Sequence, residues 1–333
     1  MPLLHRLIFV ALLAFLLVAP LPVFDLYPVF LMKVLCFALF ASALNLLLGF
    51  GGLLSFGHAA YFGMAGYVSA HLAKVGTITL PYVALDPFPH WEWLVLHLPP
   101  QPPEVAILGG TIAAGLLGLA IGSLAIRRHG IYFAMVTLAF AQMVYFFALQ
   151  APFTGGEDGI QAVPRGFLFG VIDLWQDINL YYVVLTIFFI GMLIIYRIIH
   201  SPFGQVLKAI RDNEARAISL GYAVNRYKLM VFVMSATLAG LAGATKALVF
   251  QLASLTDVHW TMSGEVVLMT LLGGMGTVFG PAVGALIIVT MQNYLAHMGA
   301  WVTVIQGVIF VISVMLFRKG IIGVLGHWLK RPL

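Results

Sequence analysis

The chain has 333 residues, of which 62% are hydrophobic and only 9% are Asp, Glu, Lys or Arg, and its mean hydropathy is +1.04. An ordinary soluble domain carries about 25% charged residues, so this composition excludes one. The formal net charge is +5, and the single cysteine, Cys36, excludes an intrachain disulfide.

The apolar residues come in runs long enough to cross a bilayer, which takes roughly 20 residues as helix. Lipid offers the backbone no hydrogen bonds, so spanning segments are helices or closed barrels. These runs are continuous rather than alternating, which predicts helices and an all-α polytopic membrane protein. The predicted spans are approximately 7–21, 28–48, 56–75, 105–126, 130–150, 179–198, 227–250, 263–280, 282–298 and 301–317. Residues 1–22 also admit a signal peptide, since Arg6 precedes an apolar stretch. Their end reads APLP rather than a small-x-small cleavage site, so an uncleaved first span is expected.

Loop charges sort the two faces. With both termini inside, ten spans place Arg6, Arg127, Arg128, Arg197, the five basic residues of 208–228, Arg318, Lys319, Lys330 and Arg331 on the cytoplasmic side, 13 of the 17 basic residues. The outer loops then hold Asp25, Asp86, Glu92, Glu104, Glu157, Asp158, Asp173, Asp177 and Asp257, with Arg165 opposing them. That is the positive-inside distribution. In the proline-rich outer loop 76–104, His90 and His97 flank Trp91, Glu92 and Trp93. Interfacial aromatics account for that cluster more simply than a metal site.

Small residues recur every fourth position in the fourth span, as Gly110, Ala114, Gly118 and Gly122, and in the seventh, as Ser235, Ala239, Gly243 and Ala247. Such ladders let helix backbones pack closely. Two glycine-rich breaks, GGLLSFGHA (51–59) and GGMGTVFGPA (273–282), share a double glycine, a hydroxyl residue, a Phe-Gly pair and a small residue. Interrupted helices in corresponding places often flank a transport site, so Gly51, Gly52, Gly273 and Gly274 are pathway candidates. Packing turns would use the same residues. Asn45, Ser55, His58, Tyr61 and Gln142 are polar groups able to meet a zwitterion in the pore. Glu265 would be costly if unpaired in lipid, and Lys246 is its expected partner.

Residues 201–228 differ from everything around them, with seven charges in 28 positions. Ser201-Pro202 suits a helix start, with Val206, Leu207 and Ile210 as an apolar face. Asn213 can cap a second short helix over EARAISL, and Gly221 suits the left-handed position that ends it. Ala215, Ile218 and Leu220 give that helix an apolar side, while Glu214 and Arg216 stay polar. Either a solvated positive-inside loop or a helix lying in a partner's groove fits these residues. The chain contains no G-x-x-x-x-G-K-[ST], no H-E-x-x-H and no G-x-S-x-G, so phosphate-cradling, zinc-protease and serine-hydrolase motifs are missing.

The stretch SPFGQVLKAIRDNEARAISLGYAVNRYKLMVFVMSATLAGLAGA resembles the cytoplasmic loop and following helix of branched-chain amino-acid ABC transporter permeases, with the LivM-type subunit nearest. NLLLGFGGLLSFGHAAYFGMAGYVSA (45–70), GIYFAMVTLAFAQM (130–143) with TGGEDGI (154–160), and LLGGMGTVFGPAVGA (271–285) extend the resemblance from about residue 40 to 320. Loop 76–104 has no counterpart in it. The resemblance implies one transmembrane permease domain over 1–333 in a bacterial inner membrane, with 200–226 as a cytoplasmic coupling loop. It implies a second permease subunit, two ATPase subunits that hold ATP and Mg, and a periplasmic substrate-binding protein, with no cofactor on this chain. Lys208, Arg211, Asp212, Asn213, Glu214, Ala215, Arg216, Ala217 and Gly221 would be the coupling residues. A sibling permease for urea or short amides would share this fold, whereas an ion-coupled secondary transporter would depend on Lys246 or Glu265 instead.

Overall fold

The structure, a computed structural model, describes residues 3–20, 27–75, 78–84, 90–96, 99–128, 130–299, 301–316 and 320–323. Asp25, Asp86, His97, Arg318, Lys319, Lys330 and Arg331 lie outside them. The chain opens with α1 (Leu3–Val18) and α2 (Pro28–Asn45), which continues as a π-turn over Leu46–Phe50. After an extended stretch come α3 (His58–Lys74) and the antiparallel hairpin β1 (Ile78–Ala84) and β2 (His90–Leu96). Next are α4 (Pro103–Ala125), α5 (Ile131–Gln150) and the short strands β3 (Ile160–Gln161), β4 (Phe167–Leu168) and β5 (Ile172–Asp173). Then follow α6 (Asp177–His200), α7 (Pro202–Asp212), α8 (Glu214–Ser219), α9 (Val224–Phe250), β6 (Leu252–Ala253), α10 (Trp260–Gly273), α11 (Gly280–Tyr294) and α12 (Trp301–Leu316).

Each apolar run expected to span falls on a helix. Five helices, Pro28–Phe50, α4, α5, α6 and α9, are long and apolar enough to cross a membrane. The other five have 14 to 17 residues, or roughly 21–26 Å of axis, short of a hydrocarbon core about 30 Å thick. The boundary expected near 280 is corrected: α10 stops at Gly273 and α11 starts at Gly280. Gly274 and Gly276 take φ of 130° and 78°, which no helix accommodates.

A helix that is apolar all round belongs in the interior. Accordingly α2 is buried almost throughout, Cys36 with it, and α9, α6, α10 and α11 pack around it. The α4 ladder packs closely on α9, but on Ala236, Gly240 and Ala244 rather than on the Ser235–Ala247 ladder, whose Gly243 faces α3 instead. Gly240 abuts Ala114, Gly118 abuts Ala236, and Gly243 lies directly beneath the Phe62 carbonyl of α3. A side chain at any of these positions would push α3, α4 and α9 apart.

The two ends of the bundle are built differently. At one end α6 runs into α7 and α8. At the other, Arg165 ties α6 to α9, bonding Asp177 at 2.7 Å and the Val249 carbonyl at 2.8 Å. There too β3 pairs with β6, and Lys74 closes α3 onto the Gln161 carbonyl.

Candidate functional site

The charged segment folds by local rules. Ser201 caps α7 by accepting a bond from Gly204 N–H, and Asn213 caps α8 by accepting from Arg216 N–H at 3.0 Å. Gly221, with φ 84°, ends the second turn, and Tyr222 N–H returns to the Ala217 carbonyl. Ala217 packs on Ile210 and Val224, while Ile218 and Leu220 stay 58% and 69% exposed. Exposed Ile218 on α8 and Leu220 just after it thus stand beside the charges of 208–228. Glu214, on the polar side of α8, accepts from Lys228 Nζ at 2.7 Å, locking α8 to the foot of α9. Lys208 lies 5.6 Å from the Phe50 ring, and its pKa is lowered by burial and by the nearby Arg211 charge.

Arg211 leaves this segment and reaches the first glycine break. Its Nη1 donates to the Gly49 carbonyl at 2.6 Å, and its side chain crosses the space a Cβ on Gly52 would need. Gly52 itself has φ 69°. A polar cavity of about 160 Å³ lies between them, lined by Gly51, Gly52, Arg211, Asp212, Glu214 and Lys228 among others.

Asn45 joins the first break to the second. Its amide donates to the Thr277 carbonyl at 2.8 Å, and its Oδ1 accepts from Gly276 N–H at 2.9 Å. Gly49 and Gly276 are in backbone contact beside it. Gly273 and Gly274 stand one turn away, with Gly273 packed on the Gly280 carbonyl. Thus Asn45, Gly51, Gly52, Gly273 and Gly274, 222 residues apart in sequence at the two double glycines, gather at the end that carries α7 and α8.

The chain then climbs from Gly52 to His58 without helical structure. Lys228 and Ser235, which mark the two levels on α9, are seven residues apart, or about 10 Å along the axis. His58 Nε2 contacts Ser235 Oγ at 2.8 Å, and that hydroxyl donates to the Ala43 carbonyl. Because the serine proton is spent on Ala43, the imidazole carries its own proton on Nε2 and leaves Nδ1 as an acceptor. That Nδ1 and the neighbouring Tyr61 hydroxyl are both buried without a hydrogen-bond partner among the described residues. Ser55 accepts from Gly57 N–H, Thr137 from Phe56 N–H, and Ser263 from Ala59 N–H at 2.8 Å. Buried polar atoms are nearly always satisfied, so these two adjacent unpaired atoms at the head of α3 stand out.

Gln142 is half-buried on α5 and joins none of these bonds. Glu265 lies on α10, eight residues from Gly273, and accepts from Gln292 Nε2 at 2.9 Å. Its expected partner is corrected. Lys246 bonds both carboxylate oxygens of Asp257 at 2.5 Å, because the short turn Leu255–Asp257 places that carboxylate directly over the end of α9. Sequence reasoning did not find Ser235, Thr137, Ser263, Thr277 or Gln292 as partners. Their one signal is a hydroxyl or amide inside an otherwise apolar helix or at a helix start.

The sequence has relatives among known proteins. Residues 29–314 match the family model described as branched-chain amino acid transport system / permease component. The high-affinity branched-chain amino acid transport system permease protein LivM of Escherichia coli is 27% identical over 84% of this chain and 66% of its own length. This chain therefore spans about two thirds of that relative. A probable LivM of Methanocaldococcus jannaschii is 26% identical over 76% of this chain and 72% of its own. The ribose import permease RbsC of Bacillus subtilis is 30% identical over 54% and 58%. No solved structure matches.

Proposed function

Since the chain belongs to the family of branched-chain amino acid transport system permease components, we propose that it is the permease subunit of an ATP-binding-cassette importer for leucine, isoleucine and valine. In this reading it forms the translocation pathway with a second permease subunit of the same family. Two separate ATPase subunits hold ATP and Mg, and a periplasmic binding protein delivers the amino acid. The chain is a transport protein rather than an enzyme, seated in a bacterial inner membrane.

One observation carries the reading. Arg211, on the charged segment, bonds the Gly49 carbonyl, and Asn45 bonds the second break at the same place. A displacement of α7 and α8 by a docked ATPase would reach both helix breaks through three hydrogen bonds. Exposed Ile218 and Leu220 would seat in the ATPase groove, with the Lys228–Glu214 pair keeping α8 rigid.

The ten-span arrangement with both termini cytoplasmic belongs to the same proposal. The Leu16 carbonyl near the end of α1 accepts from Tyr181 at the start of α6, and Gly320, beyond α12, packs on Gly274. Those contacts support opposite directions for alternate helices. The pathway would pass His58 and Tyr61, whose free acceptor and hydroxyl suit an ammonium and a carboxylate in turn.

The test is uptake by vesicles carrying the complete complex. Labelled leucine should enter only with ATP and the loaded binding protein, and urea and ribose should not compete. Uptake independent of ATP, or transport of urea or ribose in place of leucine, would refute the assignment.

A further inference from the structure

Neither the coupling segment nor the breaks use the hairpin at the opposite end of the bundle. Strand β4 pairs with β5, matching Phe167 to Asp173 and Leu168 to Ile172, and Val171 N–H returns to the Leu168 carbonyl at 3.1 Å. The turn falls on Phe169 and Gly170, with φ of 50° and 72°. Asn-Gly is the pair such a turn favours, because both residues must be left-handed. A phenylalanine there is strained, and a strained residue persists only where something compensates.

Packing within the chain does not supply that compensation. Phe169 is 74% exposed, Val171 82% and Trp175 55%, and Phe167 and Ile172 are exposed beside them. No charge occurs from 166 to 172. The flanking charges are held internally: Arg165 by Asp177 and the Val249 carbonyl, and Asp173 by Trp175 N–H at 2.9 Å.

The height of this apolar tip is fixed by its neighbours. Gly166 lies against Pro103, the first residue of α4, Trp175 comes two residues before α6, and Arg165 grips the last turn of α9. Three membrane-length helices begin or end there. Exposed Val105 and Leu108 on the first turns of α4 continue the same apolar surface. We propose that hairpin 166–175 is an interfacial anchor, inserted at the boundary between headgroups and acyl chains of the outer leaflet. Aromatic and aliphatic side chains at that depth bury their apolar bodies while the backbone and the indole N–H stay at the polar layer. The membrane side named here rests on the proposed topology, but lipid contact itself does not.

The test places an environment-sensitive fluorophore on Val171→Cys in the assembled complex in vesicles, where buried Cys36 does not compete. The expected result is blue-shifted emission, quenching by lipid spin-labelled near the headgroup, and at least a fivefold lower iodide quenching constant than the same label on exposed Glu157→Cys. Adding Phe169→Asn, which suits the turn, should leave assembly intact and raise iodide quenching at least twofold. Equal iodide quenching at both labels overturns the proposal. So does a blue shift that occurs only when binding protein is added, since the occupant is then a protein. Leucine uptake is measured on the same vesicles, so failure of the anchor is distinguishable from failure of the transport assignment.

Discussion

The two glycine breaks look alike in sequence and fold differently. In both, a hydroxyl residue accepts from a glycine N–H at the head of the next helix: Ser55 for Gly57 before α3, Thr277 for Gly280 in α11. The second break is a tight reversal, with α10 and α11 so close that Gly273 meets the Gly280 carbonyl and Gly284 meets the Met269 carbonyl. The first is an unwound stretch that lifts the start of α3 well into the bundle, to Ser235 and Ser263. A shared capping device therefore fixes where a helix starts, while glycine contacts decide whether the chain before it is a corner or a path. In the proposed importer the first break would be the path and the second its support.

Substitutions can sharpen that division. Gly273→Ala should have the largest effect, because a methyl there overlaps the α11 backbone at Gly280 and Gly284. Its cost should exceed the ~1–3 kcal/mol of ordinary overpacking. The expected outcome is little or no complex in membranes by immunoblot; normal yield would show that the reversal tolerates opening. Asn45→Ala comes next. It strands the Gly276 N–H and the Thr277 carbonyl, each worth about 1–3 kcal/mol when buried. The complex should assemble at reduced yield, with a lower thermal midpoint and ATP hydrolysis no longer tied to leucine uptake. If coupling survives, the breaks are not joined mechanically through this residue. His58→Leu should be mildest for assembly, since Ser235 keeps its bond to Ala43, and most selective for transport. Near-normal yield with at least a tenfold fall in uptake is expected. Unchanged uptake would remove the first break from the pathway.

Features encoded within a few residues were legible in the sequence. Pro202, Asn213 and Gly221 mark their helix boundaries because caps act over three or four positions, and the ladders on α4 and α9 follow helical spacing. Partners chosen by tertiary structure were not. Asn45 reaches Thr277 across 232 positions, and nothing local to either residue encodes that distance. Lys246 and Glu265 share an apolar neighbourhood, yet a three-residue turn hands Lys246 to Asp257. Glu214 falls on the polar side of its short helix, and no residue near it in sequence names Lys228 as its partner. Its pairing depends on the foot of α9 lying alongside, which only the packed fold decides.

Helix α9 touches every one of these places: Glu214 through Lys228, His58 through Ser235, α3 through Gly243, Asp257 through Lys246, and the far-end cap through Val249. Its 27 residues make a rod about 40 Å long, on which a tilt of roughly 10° displaces one tip by about 7 Å relative to the other. With His58 held about two fifths of the way up, the rod would act as a lever with unequal arms between Lys228 and Val249. A small push on the short arm at Lys228 would become a larger swing at Lys246 and Val249, and the gearing of such a machine would be set by where along α9 the imidazole sits.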